Sequence, residues 1–373
     1  MANIFNTNLQ DSQGTAVPPI QPENFDFALY SEYEASLLER NREFFNAKQG
    51  ILVYRRVRAN GVFYDKSRDY QESLTLQLGA LKTGLSYEAD IANFLEPWYG
   101  IGYIAASFGS DYVWTPGQSP SVMPRFKSAN DILNADYVPI HQTPIGKHIL
   151  EMEEYFLDKT KGKLPMSFCD IQSPLNMLSY LIPINDLFLE IYDDPDSVAE
   201  AAVLTADLLI EFLQKQRELI GPCLASPGHG FASSRAFAGA GMSDDNSIML
   251  QADDYLTLFK GADEKIGQEF GGTVFHSCGN WESKIPMVKS LQSLIMADGA
   301  FSIQTDPSPN DPSVFGEAFQ NSGIILNARA VGSCEECLPV FKALYKPGQK
   351  LIAVTYCSDP ADQKKLYQQL HSL

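Results

Sequence analysis

From Leu164 onward the chain alternates short apolar runs with longer amphipathic ones, and this rhythm limits the fold more than any other feature. LPMSFC (164–169), GFASSRAFAG (230–239), TVFHSC (273–278), SLIMADG (293–299), GIILNAR (323–329) and LIAVTY (351–356) read as strands. SPLNMLSYL, residues 197–219 and DDYLTLFKGADEKIGQEF read as helices between them. The long helix is opened by Asp194-Pro195 as cap and first-turn proline and closed by Gly221. Upstream, residues 31–49 carry Tyr33, Leu37, Leu38 and Phe44 at helical spacing, Gly50 stops them, and 51–54 read as a short strand. Strands separated by helices of about 10 or more residues pair in parallel through right-handed crossovers. The expected class is α/β. An open doubly wound sheet shares this rhythm, but no G-x-G-x-x-G follows an early strand, and GIGYIAASFG lacks the third-glycine spacing. The expectation is therefore a (β/α)8 TIM barrel over residues 91–373. Residues 1–90 are expected to form a polar arm and a helical extension packed on it.

Charge narrows the partners. The chain has 46 acidic against 28 basic residues, a formal charge of -18, and no basic run denser than Arg55, Arg56 and Arg58. Such a surface repels nucleic acid and anionic membranes. No apolar stretch approaches the roughly 18 residues a membrane helix needs. The start, MANIFNTNLQDSQGTAVPP, has neither the basic nor the apolar region of a signal peptide. A cytoplasmic location is expected, and the six cysteines are expected to be reduced thiols, available to a metal.

The strongest chemical signal is the string F-His276-Ser-Cys278-Gly. Two residues apart on an extended run, His276 and Cys278 point to one face at its C-terminal end. Imidazole and thiolate are the donors that a borderline-soft zinc ion prefers. Cys357 ends another apolar run, with Ser358-Asp359-Pro360 opening a helix after it. In a parallel barrel that places Cys357 on the face where active sites lie. Three such ligands leave a fourth position for substrate, and zinc there stabilises a substrate thiolate, the nucleophilic form.

These residues resemble the uroporphyrinogen decarboxylase superfamily, and within it the zinc-dependent methylcobalamin:coenzyme M methyltransferases. GIGYIAASFGSDYVWTPGQSPSVMPRF, DIQSPLNMLSYL, the helix over DPDSVAEAAVLTADLLIEFLQKQRELIG and GMSDDNSIMLQADDYLTLF are similar to the family's successive segments. The resemblance implies a TIM barrel with zinc held by His276, Cys278 and Cys357. It also implies methyl transfer to a small thiol from methylcobalamin, a methylated corrinoid carried by a small corrinoid protein. The decarboxylase branch relies on an arginine-rich motif, which YRRVRANG (54–61) matches only in part. Decarboxylation of a tetrapyrrole or other organic acid is the alternative.

Among other candidates, Asp245 and Asp170 are read as catalytic, and Asp244, Glu96 and His229 as substrate contacts. Helix capping or packing explains the aspartates equally well. Glu96 is alternatively a fourth zinc ligand or a surface carboxylate. Cys334 and Cys337 form a C-x-x-C that lacks the second pair of a zinc ribbon, and two glutamates between them oppose thiolate formation. Cys169 and Cys223 read as buried apolar residues.

Overall fold

The computed structural model describes residues 14–373; residues 1–13 of the expected polar arm lie outside the described residues. Seven parallel strands form one sheet: β1 (Gly50–Arg55), β2 (Ile171–Gln172), β3 (Ala240–Ser243), β4 (Thr273–His276), β5 (Leu294–Ala300), β6 (Ile325–Ala330) and β7 (Lys350–Thr355). Their spatial order is β1-β7-β6-β5-β4-β3-β2. β7 is buried along its whole length and β5 at all positions but one. A sheet covered on both faces reads as near-continuous apolar sequence, and this is why SLIMADG and LIAVTY show no alternation.

Helices follow the strands. In chain order they include α1 (Phe27–Asn46), α2 (Tyr70–Gly84), α3 (Pro144–Thr160), α4 (Pro174–Ser179), α5 (Ile184–Asp193) and α6 (Pro195–Ile220). Then come α7 (Ala252–Leu258), α8 (Lys260–Phe270), α9 (Pro312–Phe319), α10 (Cys334–Leu344) and α11 (Pro360–Leu370). The Asp194 side chain accepts from the Ser197 amide to open α6, and Gly221 ends it at φ 55. No helix among the described residues is long and apolar enough to cross a membrane.

Four expectations shift. LPMSFC makes only isolated parallel bridges, Met166 with Leu95 and with Leu224, and the ladder strand comes after it at Ile171. GFASSRAFAG is not a strand; its glycines and small residues form a turn bridged at Ser226 and Ser234, and the strand starts at Ala240. DDYLTLFKGADEKIGQEF divides at Phe259 into α7 and α8. The stretch assigned to the extension supplies β1, paired with β7 over six residues.

Between the sheet edges, a few backbone hydrogen bonds link consecutive segments. Asp90 N donates to Val53 O at 2.8 Å, Leu95 N to Pro165 O at 2.8 Å, Ala225 N to Met166 O at 2.8 Å and Gly241 N to Pro227 O at 2.8 Å.

One core side chain breaks the usual pattern. Glu153 on α3 is 0% exposed, and neither carboxylate oxygen has a hydrogen-bond partner. Burial, and less so Glu154, pushes its carboxyl well above the usual range, so the folded chain holds it as the neutral acid. A raised folded pKa means that the unfolded chain loses this proton first as pH rises. Stability should therefore fall above the unfolded glutamate pKa of about 4.3, by at most about 1.4 kcal/mol per pH unit for one proton. Glu153→Gln should remove this dependence, so its denaturation midpoint should gain on the parent's by more at pH 8 than at pH 5. Parallel pH profiles of the two proteins would refute the assignment.

Candidate functional site

The candidate site is built at the C-terminal ends of β3 to β6, where ladder register does the aligning. Ser243 pairs with His276, His276 with Asp298 and Asp298 with Asn327, so one layer of residues runs across four strands. The Asp244 amide donates to His276 O at 2.7 Å, which carries the β3–β4 pairing past the strand end. Beyond His276 the chain turns. Gly279 at φ 76 permits that turn, and its amide donates to Asp306 at 2.8 Å. Trp281, 0% exposed and edge-on to Phe315 at 4.5 Å, anchors it from below.

That turn returns the exposed Cys278 toward His276. Cys278 Sγ lies 3.6 Å from His276 Nε2, and Asp245 Oδ1 lies 3.6 Å from the same nitrogen. The Cys278 amide donates to Asp245 Oδ1 at 2.8 Å. Donor atoms of Asp245, His276 and Cys278 all lie within 4.8 Å of one another. Donors around a tetrahedral zinc, at bonds of about 2.0–2.3 Å, sit roughly 3.3–3.8 Å apart, and the two separations from His276 Nε2 fall in that range.

The other imidazole nitrogen is fixed from behind. His276 Nδ1 lies 2.6 Å from Asp298 Oδ2, and Asp298 accepts from Asn327 Nδ2 at 2.5 Å and from Arg329 Nε at 3.0 Å. Burial would raise the Asp298 carboxyl, but the Arg329 guanidinium and His276 outweigh it and hold it down to about 2. An ionised Asp298 keeps the proton on Nδ1 and presents the Nε2 lone pair to the open side, the carboxylate–histidine arrangement of metal ligands. Burial opposes charge on His276, yet Asp298 and Cys278 raise its proton affinity well above the ordinary value. A cation at Nε2 would take that proton's place.

Cys357 does not join this group. Its thiol lies 3.5 Å from the Gly332 carbonyl, in the loop after β6. Burial first, then Asp362, pushes that thiol up to about 11. Thus His276 and Cys278 are brought together with Asp245, whereas the Cys357 thiol is set against the Gly332 carbonyl. Asp244 turns inward, 2% exposed, accepting from Ser173 Oγ at 2.7 Å and Tyr255 OH at 2.5 Å. Burial pushes it up to about 7 against those two hydrogen bonds.

Glu96, Asp170 and His229 form a second cluster. His229 Nδ1 is 2.9 Å from Glu96 Oε1, and Nε2 is 3.4 Å from Asp170 Oδ2. Arg56 Nη2 pairs with Glu96 at 3.0 Å, and Trp98 Nε1 donates to Asp170 Oδ2 at 3.0 Å. Burial raises the Glu96 carboxyl, but Arg56 and His229 overcome it and hold Glu96 well below the carboxylate range. Glu96 is thus a buried, paired carboxylate and stands outside the three-residue group.

Two aromatic side chains connect the surroundings of the two clusters. Phe231, two residues after His229, packs edge-on to His276 at 6.0 Å. Tyr180 donates to Gln172 Oε1 at 3.2 Å, and its hydroxyl is raised by burial and by both Asp170 and Asp245. Sequence reading missed Asp298, Arg329, Tyr180 and the role of Arg56. The usable signal was a charged residue inside an otherwise apolar strand, Asp298 in LIMADGA and Arg329 in ILNARA.

Cys334 and Cys337 open α10 and are each 1% exposed; burial raises both thiols, Cys337 to about 12. Neither is a ready nucleophile.

No family model matches the chain, and no curated protein does. Among solved structures, the chain is similar to a methyltransferase from Methanosarcina mazei at 13% identity and a TM-score of 0.57, covering 98% of this chain and 96% of that one. It also aligns with a putative vitamin-B12-independent methionine synthase from Listeria monocytogenes at 10% identity and a TM-score of 0.39, covering 96% of each chain. The first likeness shows a shared fold.

Proposed function

We propose that this chain is a cytoplasmic, zinc-dependent methyltransferase. It moves a methyl group from a methylated corrinoid, carried by a small corrinoid protein, to a small thiol. The (β/α)8 barrel is part of the proposal: the few hydrogen bonds between the sheet edges would close the ring. One observation carries the reading, the convergence of Asp245, His276 and Cys278 within 4.8 Å at the strand ends. The fold shared with the Methanosarcina methyltransferase supports it.

Zinc, when bound, lowers the pKa of an incoming thiol so that the thiolate exists at neutral pH. His276 would supply a neutral imidazole, Cys278 a thiolate and Asp245 a carboxylate. This set carries two negative charges, as a His-Cys-Cys set does, so the ion's charge is balanced and the acceptor sulfur stays electron-rich. That balance favours alkyl transfer over hydrolysis. Asp298 and Arg329 hold His276 in its working tautomer. Phe231 and Tyr180 wall the mouth between the clusters, and Glu96, Asp170 and His229 face the part of the acceptor remote from its sulfur.

The test is spectroscopic. The zinc-loaded protein should demethylate methylcobalamin in the presence of at least one member of a panel of small thiols, and the methylated thiol should appear in equal amount. Protein that purifies without metal and releases carbon dioxide from a porphyrinogen acid would instead return the decarboxylase reading.

A further inference from the structure

Two stretches of this chain contain no basic residue. Between Lys163 and Lys215 there are nine acidic residues and no Lys, Arg or His; between Arg235 and Lys260 there are four acidic residues and again none. Hydrogen bonds tie these stretches to each other, and Lys284, from outside them, donates to the Leu250 carbonyl at their edge. Tyr192 of α5 donates to Asp254 of α7 at 3.0 Å, and Asn246 donates through its side chain to Ser179 at 3.0 Å and through its amide to Asn176 at 3.2 Å.

Large apolar side chains stand on the face of these stretches. Leu189 and Tyr192, three apart on α5 and so on one side of it, are 63% and 65% exposed, and Met249 is 55% exposed. Exposed carboxylates surround them: Asp186 and Asp193 on α5 and Asp253 on α7. No ion pair among the described residues involves those three. Some exposed acids elsewhere do pair with bases, as in Glu39–Arg42, Asp158–Lys159 and Glu335–Lys365. The face also reaches the site, because the turn Asp245–Met249 begins at the half-buried Asp245 of the three-residue group and ends at Met249.

We propose that this face docks a second protein, one that presents Lys and Arg around an apolar centre. Charge selects that occupant. A two-fold contact between copies of this chain would set the face against itself and bring like charges together. Nucleic acid and anionic membranes carry the same sign and are repelled. Apolar contact area supplies affinity, and a complementary basic rim supplies steering and orientation. A partner seated here reaches the rim beside Cys278; that its cargo is a methyl donor rests on the function proposed above, whereas the docking does not.

The experiment uses the full chain and a labelled synthetic amphipathic helix of about 20 residues, lysines on one side and leucines on the other, followed by fluorescence anisotropy at about 0.1 M salt. Asp186→Lys/Asp193→Lys/Asp253→Lys should weaken binding at least about tenfold, and Leu189→Ser/Met249→Ser about fivefold. Glu39→Lys/Asp158→Lys/Glu335→Lys makes the same change in net charge on other surfaces and should stay within about twofold. Carboxyl–amine cross-linking should join peptide lysines to Asp186, Asp193 and Asp253. Cys278→Ser should bind the peptide like the unaltered chain, so a failed metal site leaves this result readable. Equal weakening by the two charge-reversal sets, or cross-links spread over exposed acids generally, would overturn the proposal.

Discussion

Cys278→Ser should purify with almost no zinc, where the unaltered chain holds about one ion, and Cys357→Ser should keep its zinc. The difference follows from where the two sulfurs lie. Cys278 Sγ is 3.6 Å from His276 Nε2, whereas the Cys357 thiol is directed at the Gly332 carbonyl. A serine hydroxyl at position 278 stays protonated near neutral pH and is a poor zinc ligand. Thiol methylation should fall on the order of a thousandfold, because an unactivated thiol is only a few per cent thiolate at pH 7 and is no longer held in place. Cys278 is exposed, so the variant should fold as well as the parent; equal thermal midpoints would show it. Metal analysis of both variants beside the parent reads the result. Zinc retained in Cys278→Ser and lost in Cys357→Ser would invert the assignment.

Asp298→Asn should be the more damaging change to the fold. Asp298 is 1% exposed and joins His276 Nδ1 at 2.6 Å to Arg329 Nη2 at 3.0 Å. Removing its charge leaves the Arg329 guanidinium buried without a counter-ion, which costs about 3–5 kcal/mol. An Asn side chain can also donate to Nδ1 and reverse the imidazole tautomer, so metal affinity should drop about 10–100-fold even at temperatures where the variant is folded. The sign with pH follows from the folded value near 2, depressed below the unfolded aspartate value of about 3.9. Stability from this carboxylate is fully present above about pH 4 and lost as pH falls toward 2. Denaturant titrations of parent and variant should therefore differ most above pH 5 and converge in acid. A constant difference across that range would show that Asp298 is not charged in the folded chain.

Much of this was legible in the residues. Apolar runs with buried ladders, such as LIAVTY, could be placed within a residue or two because burial on both sides leaves an unbroken hydrophobic string. LPMSFC and GFASSRAFAG misled for opposite reasons. The first is apolar enough for a strand yet makes only single bridges, and the second is glycine- and serine-rich and folds into a turn. In the site, His276 and Cys278 were readable from a spacing of two at a strand end, although the strand stops at His276 and a glycine turn completes the approach. Cys357 was not readable in the same way. Periodicity tells which segment ends at a rim, but it says nothing about where a side chain turns beyond that end. Asp245 gained its place because the β3–β4 pairing continues through the Asp244 amide, a contact between residues 32 apart that no local pattern reports. Asp298 was hidden differently: a lone acid inside an apolar run looks like an exception until the arginine two strand positions away on the neighbouring strand is seen beside it.

The sulfur count at the ion tests the account most directly. X-ray absorption at the zinc edge of the metal-loaded chain, without substrate, should fit one sulfur at about 2.3 Å with nitrogen and oxygen neighbours at about 2.0–2.1 Å. Adding an acceptor thiol should raise the fit to two sulfurs. Two sulfurs before any thiol is added would contradict the Asp245, His276 and Cys278 set.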